Sequence, residues 1–391
     1  MQARPATTTA DPAALLVATR LAADEVSRRI VEACRALRAA GWVSIVAGAD
    51  GPLAREVRQA GGRLEEVVLD RPGPWARFRA RSRLARILRG SGARLVHLHR
   101  RAGGSLAAAC AARAGLSILA TVHDPAELEG RRADEQRLLA ADRRVAVSEY
   151  VAETLVERLG LPAERVRVIP PGVDLDELDP ERVRGPRVLA LAERWGLDVE
   201  RRIVLLPGPL ERARGHLYAI EAVARLARRD LWLVLVGEED PPAGYVREME
   251  TAIRRAGLGD RVRFGGPPGD EAAALQLADV VLLPAVEPLP SARVVAAAQA
   301  MGRPVIVTGL GALPECVQPA STGWIVPHDD AGELAWALDR ALSLDDAVKE
   351  RLARRARAFA AEAFAAERVG RKLVELYREV TRPGARGTGS G

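Results

Sequence analysis

The stretch Val280–Val307 reads VVLLPAVEPLPSARVVAAAQAMGRPVIV and carries the clearest evidence for the fold. It begins with four apolar residues, passes through a proline-rich turn into a helical pattern, and reaches a second apolar run after Gly302-Arg303-Pro304. Two short apolar runs separated by an amphipathic helix are typical of parallel strands joined by a crossover helix. The stretch therefore predicts a β-α-β unit of an α/β protein.

The same alternation continues along almost the whole chain. Helical patterns, for example Asp24–Ala39, Trp75–Arg89 and Tyr150–Leu159, separate the short apolar runs. A first series of strands is predicted at Leu15–Ala18, Val43–Ala47, Leu64–Leu69, Leu95–Leu98, Ile118–Val122, Val145–Val147 and Val166–Ile169. A second series is predicted at Ile203–Leu206, Leu231–Val236, Val262–Phe264, Val280–Leu283, Val305–Val307 and Trp324–Val326. The pattern predicts two doubly wound, Rossmann-like parallel sheets with helices on both faces.

A turn-rich segment separates the two series. Pro170-Pro171-Gly172-Val173-Asp174 is followed by polar and charged sequence as far as Pro186, so we predict a hinge near residues 170–186. The predicted parts are an N-terminal domain over 13–172, a C-terminal domain over 187–345, a helical segment over 346–381 and a disordered tail over 382–391. Two such domains are expected to face each other across a cleft, where ligands bind beyond the carboxyl ends of the strands.

Composition excludes several classes of protein. The chain has 391 residues, 48% of them hydrophobic, but its apolar runs are far too short to span a bilayer. Met1 to Asp11 lacks the apolar core of a signal peptide. The three cysteines show no metal-ligand spacing and are expected to be buried reduced thiols. These features predict a cytoplasmic protein.

Arginine dominates the basic charge, and one segment concentrates it. The net charge is +6, yet no zinc knuckle, aromatic stacking ladder or helix-turn-helix pattern accompanies it, so we predict no nucleic-acid partner. Arg71–Arg101 contains ten Arg and no acidic residue, with Trp75 and Phe78 among the apolar residues between them. This segment is either the solvated face of an ordinary amphipathic helix or a basic surface for anionic lipid or an acidic acceptor.

An ordered set of motifs identifies a family. In the C-terminal half these are RVRVIPPGVDLDELDP, IVLLPGPLERARGHLYAIEAVARL, LVGEED, ADVVLLPAVEP, AQAMGRPVIVTGLGALPECV and STGWIVPHDDAGELAWAL. RLVHLH, ILATVHD and RRVAVSEYVAETL match more loosely in the N-terminal half. Together they resemble the retaining GT-B glycosyltransferases of family 4, also called glycosyl transferases group 1. The resemblance implies an N-terminal acceptor-side domain, a C-terminal nucleotide-sugar domain, and sugar transfer from a nucleotide-sugar donor with retention and without a metal ion or other cofactor.

The first implied donor contact is the loop after the first strand of the C-terminal domain. Family members place an Arg and a Lys there in a pattern like G-R-L-x-x-x-K-G, and this chain has Gly208 to Gly215, GPLERARG. Pro209 stands at the Arg position and has neither charge nor backbone donor. Arg214 stands at the Lys position and keeps the charge, with Arg212 near it in sequence. Gly208, Arg212 and Arg214 are therefore expected at the donor.

The second implied contact is the turn after Leu283, where family members carry two glutamates, the second of which binds the ribose. Anchoring on Glu287 puts Val295 at the second position, whereas anchoring on the helix end puts Leu289 and Ala297 at the two positions, with Glu287 as a flanking acid. The helix-end alignment fits better, and the ribose carboxylate is absent under both. The helix start formed by Ser291, Ala292, Arg293 and Val294 remains a predicted anion site, as any helix start is.

The N-terminal half adds two further predictions. The family's glycine-rich first loop is replaced by Thr19 to Glu25, TRLAADE, whose side chains would crowd the donor. His123, in ATVHD, matches a family His that faces the donor sugar and is the predicted catalytic residue. Ser148 is predicted first as a helix N-cap and second as a contact to the acceptor.

Two functions remain open at this point. The first is a glycosyltransferase acting on a nucleotide sugar and a glycan or lipid-linked acceptor, at the cytoplasmic membrane face or in the cytoplasm. The alternative is a catalytically degenerate GT-B protein that acts as a binding or scaffolding partner in a glycan or envelope pathway. Pro209, Leu289, Ala297 and the glycine-free first loop favour the alternative, since all four affect one donor pocket.

Overall fold

The computed structural model describes residues 11–71, 73–99, 104–128, 141–237, 242–267 and 269–382, without the side chain of Glu127. The chain divides into two compact units. The first unit contains residues 1–172 and 367–391, and the second contains residues 173–366. Each unit is built around one parallel sheet.

The first unit contains a sheet of seven parallel strands in the order β3-β2-β1-β4-β5-β6-β7. The strands are β1 Ala13–Arg20, β2 Val43–Ala49, β3 Arg63–Glu66, β4 Ala93–Leu98, β5 Ser117–Val122, β6 Arg143–Ala146 and β7 Val166–Val168. The helices described in this part of the chain are α1 Glu25–Ala39, α2 Ala54–Gln59, α3 Pro74–Ser91, α4 Gly104–Arg113 and α5 Glu149–Glu157. Separate apolar clusters pack the two faces of the sheet, as expected for a doubly wound fold.

The second unit contains a six-stranded parallel sheet in the order β10-β9-β8-β11-β12-β13. Its strands are β8 Arg202–Pro207, β9 Leu231–Val236, β10 Val262–Gly266, β11 Val280–Leu283, β12 Val305–Thr308 and β13 Gly323–Val326. Its helices are α6 Gly185–Arg194, α7 His216–Arg225, α8 Ala243–Arg255, α9 Glu271–Leu277, α10 Arg293–Ala300, α11 Ala331–Leu342 and α12 Asp346–Ala363. The two Rossmann-like sheets predicted from the sequence are confirmed, and each predicted strand is present, although β3 ends at Glu66 where we predicted Leu69.

Side-chain caps fix where several helices begin. Asp24 accepts a hydrogen bond from the Ser27 amide at 2.8 Å, and Ser148 accepts one from the Val151 amide at 3.1 Å. These bonds satisfy amide donors that have no partner inside the helix. Asp24, which we predicted as the first helical residue, is therefore the cap, and the predicted N-cap role of Ser148 is confirmed.

A buried arginine binds the segment that follows β7, the last strand of the first sheet. Arg29 is only 6% exposed and donates to the carbonyls of Ile169 at 3.0 Å and Pro170 at 2.9 Å. Glu32 pairs with Arg29 at 3.1 Å and accepts from the Gly172 amide at 3.3 Å. The segment that leaves the first sheet is therefore anchored up to the residue where the second unit begins.

The predicted C-terminal helical segment contains two helices that belong to different units. After α12, the Phe364 carbonyl accepts from the Val173 amide at 2.8 Å, which ends the helix inside the second unit. The final helix, α13 Ala366–Val380, then packs in the first unit, where the Val380 carbonyl accepts from Ser117 Oγ at 2.8 Å. The last helix of the chain thus belongs to the first unit. The sequence pattern did not indicate this return.

Three remaining predictions concern the ends, the cysteines and the membrane. Of the predicted tail, residues 383–391 lie outside the described residues, as do Arg100 and Arg101 of the basic segment. Cys34, Cys110 and Cys316 are free and buried, as predicted. Burial raises the pKa of the Cys34 thiol to about 11. Within the described ranges, no helix is both long and apolar enough to cross a bilayer.

Candidate functional site

The topology of the second sheet places two loops together. The chain moves outward from β8 through β9 to β10 and then returns to β11, so β8 and β11 are neighbours at the switch point. Ligands of open α/β sheets bind at the carboxyl ends of strands on either side of such a switch. Residues 208–215 follow β8 and residues 284–292 follow β11. We call these the phosphate loop and the turn loop.

Backbone contacts join the two loops closely. The Val286 amide donates to the Ala213 carbonyl at 3.0 Å. Gly215 has φ +75°, and a Cβ there would overlap the Pro284 carbonyl, so glycine is required for both reasons. On the other side, the Ala312 amide donates to the Leu289 carbonyl at 2.8 Å. The turn loop is therefore held between the loops that follow β8 and β12.

Arg214 lies over the first residue of the phosphate loop. Its Nη1 is 3.6 Å from the position that a Cβ on Gly208 would occupy, and Gly208 itself has φ +136°. Its Nε donates to Glu211 at 3.1 Å, and its side chain is 24% exposed. A glycine with no side chain beneath a half-buried guanidinium leaves room for an anion beside the backbone. The structure thus brings Gly208 and Arg214 together, and their contact to a donor stays a prediction.

Arg212 takes a different direction. Its guanidinium makes two hydrogen bonds with Glu248 of helix α8, one of them 3.0 Å from Nη1 to Oε1. It also lies over the Tyr245 ring, 5.2 Å from its centroid, and its side chain is 66% exposed. The structure therefore places Arg212 on the surface of α8 and does not bring it to Gly208 with Arg214.

Two helices begin at this edge without a side-chain cap. Gly215 is the N-cap of α7 and Ala292 is the N-cap of α10, and neither caps through a side chain. Helix N-termini attract anions because their first amides and the helix dipole are directed at them. Ser291 lies just before α10, where its Oγ accepts from the Arg293 amide at 3.4 Å, and Val294 is half-buried in its first turn.

The charged side chains in and just after the turn loop differ in whether another side chain pairs with them. Arg293 makes a two-point ion pair with Glu271, with distances of 2.7 and 2.8 Å, so its charge is balanced within the unit. Glu287 is exposed. Leu289 and Ala297, the two glutamate positions under the helix-end alignment, are buried in one apolar cluster. The sequence did not reveal Glu271 as the partner of Arg293.

The first sheet has its own switch point, between β1 and β4, and three histidines lie near it. His97 lies within β4, His99 follows β4, and His123 follows β5. The rings of His97 and His99 are 4.0 Å apart and those of His99 and His123 are 6.1 Å apart, from centroid to centroid. His123, the predicted catalytic residue, is half-buried at this edge.

His97 is the structural member of this cluster. Its Nδ1 is 2.6 Å from the Tyr377 hydroxyl and its Nε2 is 2.7 Å from the Thr121 hydroxyl. Burial holds the pKa of His97 well below its ordinary value, and the nearby His99, Arg29 and His123 act in the same direction. His97 therefore connects α13 to the sheet as a neutral ring.

Sequence comparisons divide the chain into two parts that correspond to its two sheets. The model of Glycosyltransferase Family 4 matches residues 26–177, and that of Glycosyl transferases group 1 matches residues 201–344. A D-inositol 3-phosphate glycosyltransferase of Xylanimonas cellulosilytica is 31% identical over 306 residues, covering 74% of this chain and 72% of the relative. Another of that name, from Salinispora tropica, is 29% identical over 400 residues, covering 93% of this chain and 80% of the relative.

Structural comparisons support the same fold. A glycosyltransferase of Rickettsia africae has a TM-score of 0.85 at 22% identity, covering 95% of this chain and 99% of that one. HepE of Anabaena, solved with UDP and glucose, has a TM-score of 0.79 at 20% identity, covering 94% and 99%. Two Rossmann-like units with these loops define the protein as a glycosyltransferase of the GT-B class. The chain belongs to the family-4 glycosyltransferases, the glycosyl transferases group 1.

Proposed function

We propose that this glycosyltransferase transfers a sugar from a nucleotide-sugar donor to a hydroxyl of a glycan or lipid-linked acceptor, with retention at the anomeric carbon. The arrangement of Arg214 above Gly208, at the start of α7 and at the switch point of the second sheet, carries the proposal. Structures of HepE with UDP and with UDP-glucose support a donor of this class.

The chemistry requires positive charge at the departing diphosphate. As the bond from the anomeric carbon to the phosphate oxygen breaks, the bonding electron pair stays on that oxygen and the diphosphate gains negative charge. Fixed cations and amide dipoles stabilise such charge best when they are already in place. Arg214 and the first amides of α7 supply them in this chain, while Pro209 supplies neither. Neither a metal ion nor another cofactor is part of the proposal.

The name shared by the relatives suggests one acceptor to test. They are called D-inositol 3-phosphate glycosyltransferases, so a phosphorylated polyol is a reasonable first probe beside lipid-linked glycans.

A second function is favoured by specific residues. Leu289 and Ala297 are buried in an apolar cluster where the resemblance implies two donor-binding glutamates, and Pro209 replaces a donor-binding arginine. A protein with this pocket would bind a partner or a glycan of an envelope pathway without catalysing transfer.

Calorimetry with UDP, GDP and ADP on the full chain separates the two functions. We expect one nucleotide to bind with a dissociation constant below millimolar, because Arg214 and the α7 start remain in place. A nucleotide sugar built on that nucleotide should then transfer its sugar when D-inositol 3-phosphate or a lipid-linked glycan is added. If none of the three nucleotides binds at millimolar concentration, the transferase proposal is wrong and the binding function is favoured.

A membrane contact through the basic segment belongs to the same proposal. Helix α3 buries Ala80, Leu84, Ile87 and Leu88 against the first sheet's core. Trp75 and Phe78 instead are 79% and 64% exposed. The helical period places both on the face opposite the buried one, together with Arg79 and Arg86, which are exposed. Aromatic rings between arginines suit the interface of an anionic bilayer.

Vesicle binding tests this surface. The full chain should co-sediment with vesicles containing phosphatidylglycerol and should lose binding at about 0.5 M salt, since the attraction is screened. Trp75→Ser with Phe78→Ser should reduce binding about tenfold or more by removing buried apolar area. Leu189→Ser, at another exposed apolar residue, is the matched control. Equal vesicle binding by both variants and the parent would show that α3 does not contact the bilayer and is an ordinary solvated helix.

A further inference from the structure

His99 is a buried polar side chain whose ring nitrogens have no hydrogen-bond partner among the residues that the structure describes. It is only 3% exposed. Both ring nitrogens lack a hydrogen-bond partner in the structure as described, whereas both nitrogens of the neighbouring His97 are bonded. Buried polar atoms in proteins are nearly always bonded, and an exception calls for a ligand, a water or another explanation. Contact with the His97 ring at 4.0 Å accounts for one face of the imidazole but not for its nitrogens.

The location of His99 is that of a ligand-binding residue. It is the first residue after β4, and its amide donates to the Val17 carbonyl of β1 at 3.1 Å. β1 and β4 are the two strands at the switch point of the first sheet, where the carboxyl ends of the strands open a ligand crevice. His123, which follows the neighbouring strand β5, lies 6.1 Å from His99 between ring centroids.

The charge state of the ring restricts the kind of ligand. Burial lowers the pKa of His99 to about 3, and the nearby Arg29 acts in the same direction. The ring is therefore neutral near pH 7, with one nitrogen that donates and one that accepts. A hydroxyl group both donates and accepts, so it matches a neutral imidazole, whereas a phosphate or carboxylate would be better matched by a charged one.

We infer that His99 hydrogen-bonds a sugar or polyol hydroxyl of a bound substrate and fixes its orientation. This inference rests on the proposed transferase function. The hydroxyl comes either from the transferred glycosyl group of the donor or from the acceptor. His99 is a positioning contact in this assignment, and no proton transfer is assigned to it.

The experiment uses His99→Phe, which keeps a planar ring and removes both nitrogens, and His99→Asn, which keeps one donor and one acceptor. Tyr377→Phe is the control, because it changes the partner of His97 and leaves His99 in place. UDP, UDP-glucose and D-inositol 3-phosphate are titrated by calorimetry into each full-length variant. The ring nitrogens of His99 are followed by NMR in protein labelled with nitrogen-15 histidine.

A donor contact predicts that His99→Phe weakens UDP-glucose about tenfold while UDP binds as before, and that His99→Asn recovers part of the loss. An acceptor contact predicts the same loss for D-inositol 3-phosphate instead. In both cases the His99 nitrogen signals shift when that compound is added, and Tyr377→Phe retains the parent affinities.

Stability gives a readout that does not depend on nucleotide binding. Because His99→Phe removes two unbonded polar atoms, the unliganded variant should be at least as resistant to urea as the parent. A clear loss of resistance would show that His99 is structural and would overturn the inference. Unchanged His99 signals with every compound would also overturn it, even where UDP binds and the transferase proposal stands. In a different outcome, the parent protein fails to bind UDP, GDP and ADP while its His99 signals shift when the polyol phosphate is added. That outcome would count only against the proposed transfer.

Discussion

We expect the replacement of Arg214 with Ala to lower the affinity for the donor nucleotide by at least about tenfold in calorimetry. The reason is the loss of a charge-assisted hydrogen bond to the diphosphate, which is worth about 1.5–3 kcal/mol. Arg214 is held over Gly208 by its bond to Glu211, so its guanidinium is oriented before the ligand arrives. The same loss should appear in the transfer rate, because leaving-group charge grows in the transition state.

Arg212→Ala is the matched control for Arg214→Ala. The two arginines lie two positions apart and have the same charge, but Arg212 pairs with Glu248 on the surface of α8. We expect Arg212→Ala to leave nucleotide affinity within about twofold of the parent, as is usual for exposed ion pairs. A larger loss for Arg212→Ala than for Arg214→Ala would reverse their assignments and move the anion site toward α8.

The contrast between these two arginines shows what the sequence can predict. Each strand of both sheets was recognised, because a short apolar run between turns is a local signal that needs no distant partner. The direction of Arg212 is set by Glu248, which lies 36 positions away. A motif with both arginines in one short turn cannot contain that information.

The return of α13 to the first unit has the same explanation. The residues that hold it are far away in sequence. Tyr377 forms a hydrogen bond with His97, 280 positions away, and the Val380 carbonyl accepts one from Ser117, 263 positions away. The sequence predicted a helical segment over 346–381 but not the surface on which its last helix packs. His99 was visible in the sequence as the second His of RLVHLH. A second histidine at a strand end was a usable signal, yet its unbonded nitrogens became apparent only with the neighbouring strands in place.

The effect of Gly215→Ala tests the joint between the phosphate loop and the turn loop. Two costs coincide at this position. An alanine at φ +75° adopts a left-handed conformation that costs about 1–2 kcal/mol. Its Cβ would also overlap the carbonyl of Pro284, which is backbone and cannot rotate away. We therefore expect Gly215→Ala to destabilise the second unit by more than about 3 kcal/mol in calorimetric or urea unfolding.

Gly257→Ala isolates the first of these costs, the backbone strain. Gly257 also belongs to the second unit and has φ +65°, but a Cβ there would meet no heavy atom within 4 Å. It should therefore lose only about 1–2 kcal/mol from backbone strain. Similar losses in the two variants would mean that the loops separate easily, and Arg214 would then not be held in place before the donor binds. A much larger loss for Gly215→Ala, together with weaker nucleotide binding in the fraction that still folds, would show that the close approach to Pro284 positions the whole anion site.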